Sequence, residues 1–446
     1  MKKFYKTTLA IALPVAVQQF ISTSVNFVDT LMIGQLGESN IAAVGLSNKI
    51  FFLFNLLLFG LVSGGAIFLS QFWGKRDEFN ISKTTSLITG LSIIFSFIFF
   101  IPTFFFTENV LKIFTPDPNV VSIGMEYLSI IALTFPVMAF VFSFEASLKS
   151  TEKTIIPMYS SLIAMGTNIF LNYILIFGKF GMPSLGVQGA AIGTLISRIL
   201  QLSILIIIML KINHPALFRI VHVKALDLKF IKYFFSYTIS TIGQEFFWGL
   251  GMTTYSIVYA HMGTNIIAAR NVMETMENIA FTVLIAISNA TAIIVGKHLG
   301  SDNIEDAIFT AKKLLKLNFI VSFFMGFIII ISSKYIVLLF NVSQEVEKLI
   351  LTALLIAAFS IPIRTINLMN VVGILRAGGD TKFSFFVEVG TLWGIGIPLV
   401  AISGLIIGWS FPIVYTISLI EELVKAIIFM KRYYSQKWAR NIVDSI

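Results

Sequence analysis

The sequence predicts an all-α membrane protein: twelve transmembrane helices in two pseudo-symmetric six-helix lobes with a central crevice. Three observations predict it. Apolar side chains make up 57% of the 446 residues against 12% charged, with 44 phenylalanines, a balance far outside that of soluble domains. Apolar runs of roughly 20 residues, the length needed to cross a bilayer, recur from end to end. The two halves also resemble each other in register, at an offset of 226 residues.

Reading apolar runs between polar or turn-rich breaks gives spans near 8–33, 46–72, 84–105, 121–146, 156–178 and 187–210, then 231–260, 267–297, 308–332, 348–374, 383–407 and 409–430. Met1 to Lys6 gives a basic start like that of a signal peptide. The apolar run behind it is too long and shows no small-residue cleavage pattern before Asp29, so it reads as a retained first helix. The longest polar connection follows the sixth span. It sets the expected organisation: an N-lobe at 1–211, a cytoplasmic linker at 212–229, a C-lobe at 230–432 and a cytoplasmic tail at 433–446. Most of the 32 Lys and Arg fall at the N-terminus, after even-numbered spans and at the C-terminus, which places both ends in the cytoplasm. The net charge of +9 is therefore read as loop charge facing the cytoplasm and lipid, not as a nucleic-acid surface. Cysteine is absent, which removes disulfide and thiol chemistry.

The repeat is carried by named residues. Gly37-Glu-Ser-Asn-Ile-Ala-Ala43 matches Gly263-Thr-Asn-Ile-Ile-Ala-Ala269, Gly74 matches Gly300 and Pro136 matches Pro362. One residue further on, Lys149 to Thr154 aligns with Arg376 to Thr381. With an even number of spans in each half, both halves enter the membrane in the same direction, as a parallel repeat. Small residues four apart, Gly60 with Gly64 and Ala286 with Ala290, read as packing positions.

Ionisable groups inside the spans are the candidates for function, because burying one in lipid costs about 2.5–3.5 kcal/mol on insertion scales. Asp29 lies about five residues inside the outer end of the first span, roughly 8 Å below the boundary. Asn168 and Asn172 share one face of the fifth span at i and i+4. Thr194 in the sixth falls at comparable depth. One carboxylate, two amides and a hydroxyl are hard oxygen donors, suited to a sodium ion or to a carboxyl whose protonation the site controls. The other reading is a hydrogen-bond network that only tightens packing. The second lobe has Ile395 and Leu399 at the positions of the two asparagines, so the set belongs to one half alone.

Glu245, about fifteen residues into the seventh span, is the repeat partner of Gln19, the pair Gln18-Gln19 becoming Gln244-Glu245. Glu277 and Arg364 fall at similar depth. The expectation is one ion pair from Arg364 to one acid, with the other acid free to attract a cationic solute. Glu421, Glu422 and Lys425 pair along one helix face. Arg198 has no evident partner nearby in sequence. No phosphate-binding Gly-rich loop, Gly-x-Ser-x-Gly or His-Glu-x-x-His occurs, and His214, His222, His261 and His298 lack metal-ligand spacing. The chain is therefore expected not to be an enzyme. Without an ATP site, uphill transport must draw on an ion gradient or a partner ATPase.

Taken in order, Pro14 fifteen residues before Asp29, Val28-Asp-Thr-Leu-Met-Ile-Gly34, Asn168-x-x-x-Asn172, Gly189-Ala-Ala-Ile-Gly-Thr194, Gln244-Glu245 and Leu375-Arg-Ala-Gly-Gly-Asp-Thr381 resemble the multidrug and toxic compound extrusion (MATE) transporters over nearly the whole chain. The resemblance implies a bacterial inner (plasma) membrane antiporter that expels organic, often cationic, small molecules in exchange for sodium ions or protons. No cofactor is expected beyond that ion, and a monomer is expected. In the family, residues matching Asp29, Asn168, Asn172 and Thr194 form a cation site. The residue matching Glu245 is an acid of the substrate cavity, and that matching Pro14 marks a bend in the first helix. Gln19, Gln244, Glu277 and Arg364 complete the expected cavity. Thr365 stands where some members carry a further acid, and Glu152 where relatives commonly have Gly. The rival readings are a lipid-linked precursor flippase or polysaccharide exporter of the same superfamily, a membrane-embedded enzyme and a channel.

Overall fold

A computed structural model describes residues 2–217, 226–337 and 343–444. Residues 218–225 of the expected linker at 212–229, His222 among them, lie outside the described residues. Among these, regular structure is helical throughout, without strands. The long helices are α1 (Lys2–Gly34), α2 (Glu38–Lys75), α3 (Glu78–Phe105), α4 (Pro118–Ala132 with Thr134–Ser150), α5 (Ile155–Phe177) and α6 (Gly186–Lys211). They continue as α7 (Leu228–Met262), α8 (Thr264–Gly300), α9 (Ile304–Val337), α10 (Gln344–Ala377), α11 (Thr381–Ile406) and α12 (Phe411–Tyr434). Each expected span falls on one of them.

Nine of these helices are long and apolar enough to cross a bilayer singly, and the two parts of α4 make a tenth across a 43° bend. The bend has a local cause. Pro136 lacks an amide hydrogen and its ring crowds the carbonyl of Ala132, so the helix breaks between the two. Of the remaining two, α7 carries Gln244 and Glu245, and α12 carries Glu421, Glu422 and Lys425.

The chain forms two compact units, residues 13–234 and residues 1–12 with 235–446. The first turns of α1 thus pack with the C-terminal half, Ile11 and Ala12 sitting against Ile293, Ile294 and Leu299. The rest of the helix, from just before Pro14, belongs to the N-terminal unit, and helical structure runs through the proline.

In the N-terminal unit, Phe54 is fully buried and its ring meets those of Phe135 at 4.7 Å and Phe99 at 5.5 Å, joining α2, α3 and α4. Small hydroxyls fasten α3 to α4, Thr85 with Ser147 at 3.0 Å and Ser92 with Ser143 at 3.3 Å. Such pairs suit lipid-embedded helices, which gain nothing from apolar burial alone. Two glycines bring α6 onto α5. A Cβ on Gly189 would stand 2.6 Å from the backbone carbon of Leu175, and one on Gly193 would stand 2.3 Å from Asn172 Oδ1.

In the C-terminal unit, α10 widens into a π turn at Met369–Ile374, and α11 has two, at Leu392–Gly396 and Ile402–Ile406. The segment after α12 is packed down. Trp438 is fully buried, and Asp380 in the turn before α11 accepts from Arg432 at 2.5 and 3.0 Å and from Arg440 at 3.4 Å.

Candidate ion and substrate site

The four residues singled out in the first half come together. Asn172 Nδ2 donates to Asp29 Oδ1 at 2.7 Å and to Asn168 Oδ1 at 3.4 Å. Asn168 Nδ2 donates to Thr194 Oγ1 at 3.2 Å, and that hydroxyl donates to the Ala190 carbonyl at 3.0 Å. The i, i+4 spacing on α5 supplies the two amides, α1 the carboxylate and α6 the hydroxyl. Asn168 and Asn172 are buried and Asp29 half-buried. Asn172 Oδ1 is buried and accepts from no donor, leaving a spare oxygen in the cluster.

Asp29, Asn168 and Thr194 line a cavity inside the N-terminal unit. Phe51, Tyr127, Ile131 and Met165 form much of its apolar wall, and Ser22, Thr30 and Asn48 add polar groups. Ile33, Val44, Tyr127 and Ile131, members of one buried apolar cluster, line the cavity together with Asp29.

Arg198 also lines this cavity, a role the sequence left open. It does not pair with Asp29. Its Nη1 donates to Gln201 Oε1 at 2.8 Å, and Gln201 Nε2 donates to Glu145 Oε1 at 2.9 Å and Ser161 Oγ at 3.1 Å. Glu145 is bridged to Lys149 at 3.3 Å, and Gln18 Nε2 reaches Ser161 Oγ at 3.1 Å. None of Glu145, Ser161 or Gln201 stood out in the sequence. The signal that could have found them is a run of polar residues on adjoining helices at one depth.

The expected cavity residues of the second half need correction. Arg364 does pair with Glu277, but so do Arg270, at 3.0 Å, and the Tyr415 hydroxyl, at 2.9 Å. Glu245 is not free: Arg376 Nη2 lies 3.1 Å from its Oε1, the arginine buried and the acid half-buried. Its partner is 131 residues away, at the end of the π turn, where no local spacing points to it. Gln244 is buried with its Oε1 lacking a donor, and Gln19 is exposed on its unit, Gln18 being the one turned inward. Arg364 lines a small pocket with Tyr255, Tyr259, Glu421 and Glu422.

Lys425 bridges Glu421 at 2.6 Å and Glu422 at 3.3 Å on its own helix, and also Glu388 of α11 at 3.0 Å. Tyr255 donates to Glu421 at 2.9 Å, and Asn367 to Glu422 at 2.6 Å. These contacts make a tight buried cluster. The lone acid Glu388 carried no signal in the sequence because its counter-ion is on another helix.

Long apolar helices, with a carboxylate held on a cavity inside one unit by one amide, define a polytopic membrane protein. The model of the MatE family matches residues 14–174 and 240–402, well over half of the chain, and the chain belongs to that family. It is 26% identical to the Bacillus subtilis "Uncharacterized transporter YisQ", across 97% of this chain and 94% of that protein. It is 27% identical to a "Probable multidrug resistance protein NorM" of Photorhabdus laumondii, across 88% and 86%. A solved outward-facing structure, described as a multidrug resistance MATE family transporter of the MOP superfamily, superimposes with a TM-score of 0.86 at 18% identity, covering 97% of this chain and 96% of the other. The chain thus has the MATE fold and is a multi-pass membrane protein that handles small molecules.

Proposed function

We propose that the chain is a secondary active antiporter that exports organic drugs or metabolites in exchange for a proton or sodium ion, by alternating access of its two lobes. The observation that carries this reading is Asp29: a half-buried carboxylate on a cavity, held by one hydrogen bond from the Asn172 amide and ion-paired with no arginine or lysine among the described residues. Such a group exchanges a cation readily, because nothing permanent neutralises it. Asn168, Asn172 and Thr194 offer neutral oxygens around it, with Asn172 Oδ1 unused, which fits a small monovalent cation. The names of the relatives support drug export as the task.

In this reading Asp29 takes up the ion from the outside, its charge is cancelled, and α1 changes its packing at Pro14, where a backbone hydrogen bond is already forgone. The substrate then leaves. Each elementary charge moved inward across about 100 mV supplies about 2.3 kcal/mol, enough for a roughly 50-fold gradient of a neutral substrate. The protein works as a monomer in the bacterial inner membrane, with both termini in the cytoplasm. A lipid-linked precursor would need a basic cavity for its pyrophosphate, and the cavity here balances one arginine against one carboxylate. Reconstitution in vesicles, with sodium and pH gradients imposed separately, tests the reading: one gradient drives dye accumulation. Accumulation that ignores both gradients would overturn it.

A further inference from the structure

We infer that Arg198 holds the carboxylate of a zwitterionic substrate whose cationic end faces Asp29; this rests on the antiport reading above. The inference starts from what the guanidinium leaves undone. Only Nη1 is satisfied, by Gln201. Among the described residues, Nε is buried without a hydrogen-bond partner and the one hydrogen bond of the guanidinium is that of Nη1, which leaves Nη2 open beside Nε. Those two groups form the side of the guanidinium that meets a carboxylate in two parallel hydrogen bonds. A buried donor without a partner costs of the order of 1–3 kcal/mol, a cost that a carboxylate on this edge would remove.

The rest of the surroundings fix that arginine in place. Gln201 is itself anchored to Glu145 and Ser161, so the guanidinium is oriented before any ligand arrives. Its free edge belongs to a residue lining the same cavity as Asp29, and the walls between are apolar and aromatic, from Phe51, Tyr127 and Met165. The cavity therefore offers one cation, one anion and an apolar surface to a single guest.

Charge linkage then selects the guest. A simple anion on Arg198 would bind better once an ion had neutralised Asp29, which is the sign of co-transport. A simple cation on Asp29 would exchange correctly with the ion but would leave Arg198 unpaired and repelling it. A zwitterion satisfies both groups, and it is released when the coupling ion takes Asp29 from its cationic end.

The test uses an aromatic amino acid-like fluorophore carrying an amine and a carboxylate, and its methyl ester, which keeps the amine and loses the anion. Binding of each to the full-length protein in detergent is read by thermal shift and by fluorescence titration, neither of which depends on an ion gradient. The parent is expected to favour the acid over the ester by about tenfold or more. Arg198→Gln brings that ratio close to one, and Arg198→Lys, which keeps the charge without the fork, leaves an intermediate ratio. A parent that binds the ester as well as the acid overturns the inference, as does an Arg198→Gln protein whose ratio is unchanged or which weakens both compounds equally. Antiport itself stands or falls on ion-driven transport, so the two readings fail separately.

Discussion

Gly193→Ala separates the geometry of the ion site from the stability of the fold. A Cβ there would lie 2.3 Å from Asn172 Oδ1, far inside van der Waals contact, while its other near neighbours are at 3.4 Å. The obstacle is the end of a side chain, so the amide turns away at small cost to packing. What is lost is the 2.7 Å bond from Asn172 to the Asp29 carboxylate. A hydrogen bond to a charged group contributes about 1.5–3 kcal/mol. The rate of ion-driven efflux in vesicles should therefore fall about 10- to 100-fold, each 1.4 kcal/mol being a factor of ten, while the midpoint of thermal unfolding falls less than in a variant whose new Cβ meets backbone. Gly189→Ala is the contrast. Its Cβ would meet backbone atoms of Leu175 and Ile176 at 2.6–2.9 Å, so α5 and α6 must separate, and overpacking of this kind costs about 1–3 kcal/mol or more. Full efflux by Gly193→Ala, or equal thermal losses in the two variants, would refute the reasoning.

Other consequences follow from charge. Lys425→Met strands Glu388, Glu421 and Glu422 without their shared cation; it should destabilise the protein by about 3–5 kcal/mol, and adding Glu421→Gln should restore part of the loss in a thermal unfolding assay. At the corner after α6, His214 is buried, its Nδ1 accepting from the Ala216 amide at 3.1 Å, which leaves Nε2 to donate to Thr151 Oγ1 at 2.9 Å. Burial, then the nearby Lys153, push this imidazole from 6.5 down to about 4. The unfolded chain thus binds the extra proton first, so the contribution is complete above pH 6.5 and is lost as pH falls toward 4, on the order of 3 kcal/mol in all. The stability difference between the parent and His214→Gln should shrink across that window, and a difference that ignores pH would disprove the neutral imidazole.

The spans were legible because an apolar run of bilayer length has few alternatives, whereas the bend in α4 before Pro136 was not read from the sequence, where that proline served only to align the halves. The grouping of Asp29, Asn168, Asn172 and Thr194 was legible too, since depth along three helices and an i, i+4 spacing suffice to bring them to one level. What sequence could not show is which charge meets which across helices. Glu245 was expected free, and Arg376 holds it. Arg270 sits two turns from Glu277 on the same helix, and still the second arginine on that acid, Arg364, comes from α10. Nothing in the sequence sets Gly193 against Asn172, whose Oδ1 a Cβ there would meet at 2.3 Å. Partner choice of this kind is set by tertiary packing, and local periodicity carries no trace of it.

The account rests on Asp29 as the place where the coupling ion exchanges, and ion movement itself is the direct readout. In vesicles loaded with substrate and no ion gradient, substrate running down its own gradient should drag a proton or sodium ion the opposite way, followed with a pH-sensitive dye or labelled sodium. Asp29→Asn should let substrate cross without that countercurrent. An undiminished countercurrent in Asp29→Asn would contradict the central claim.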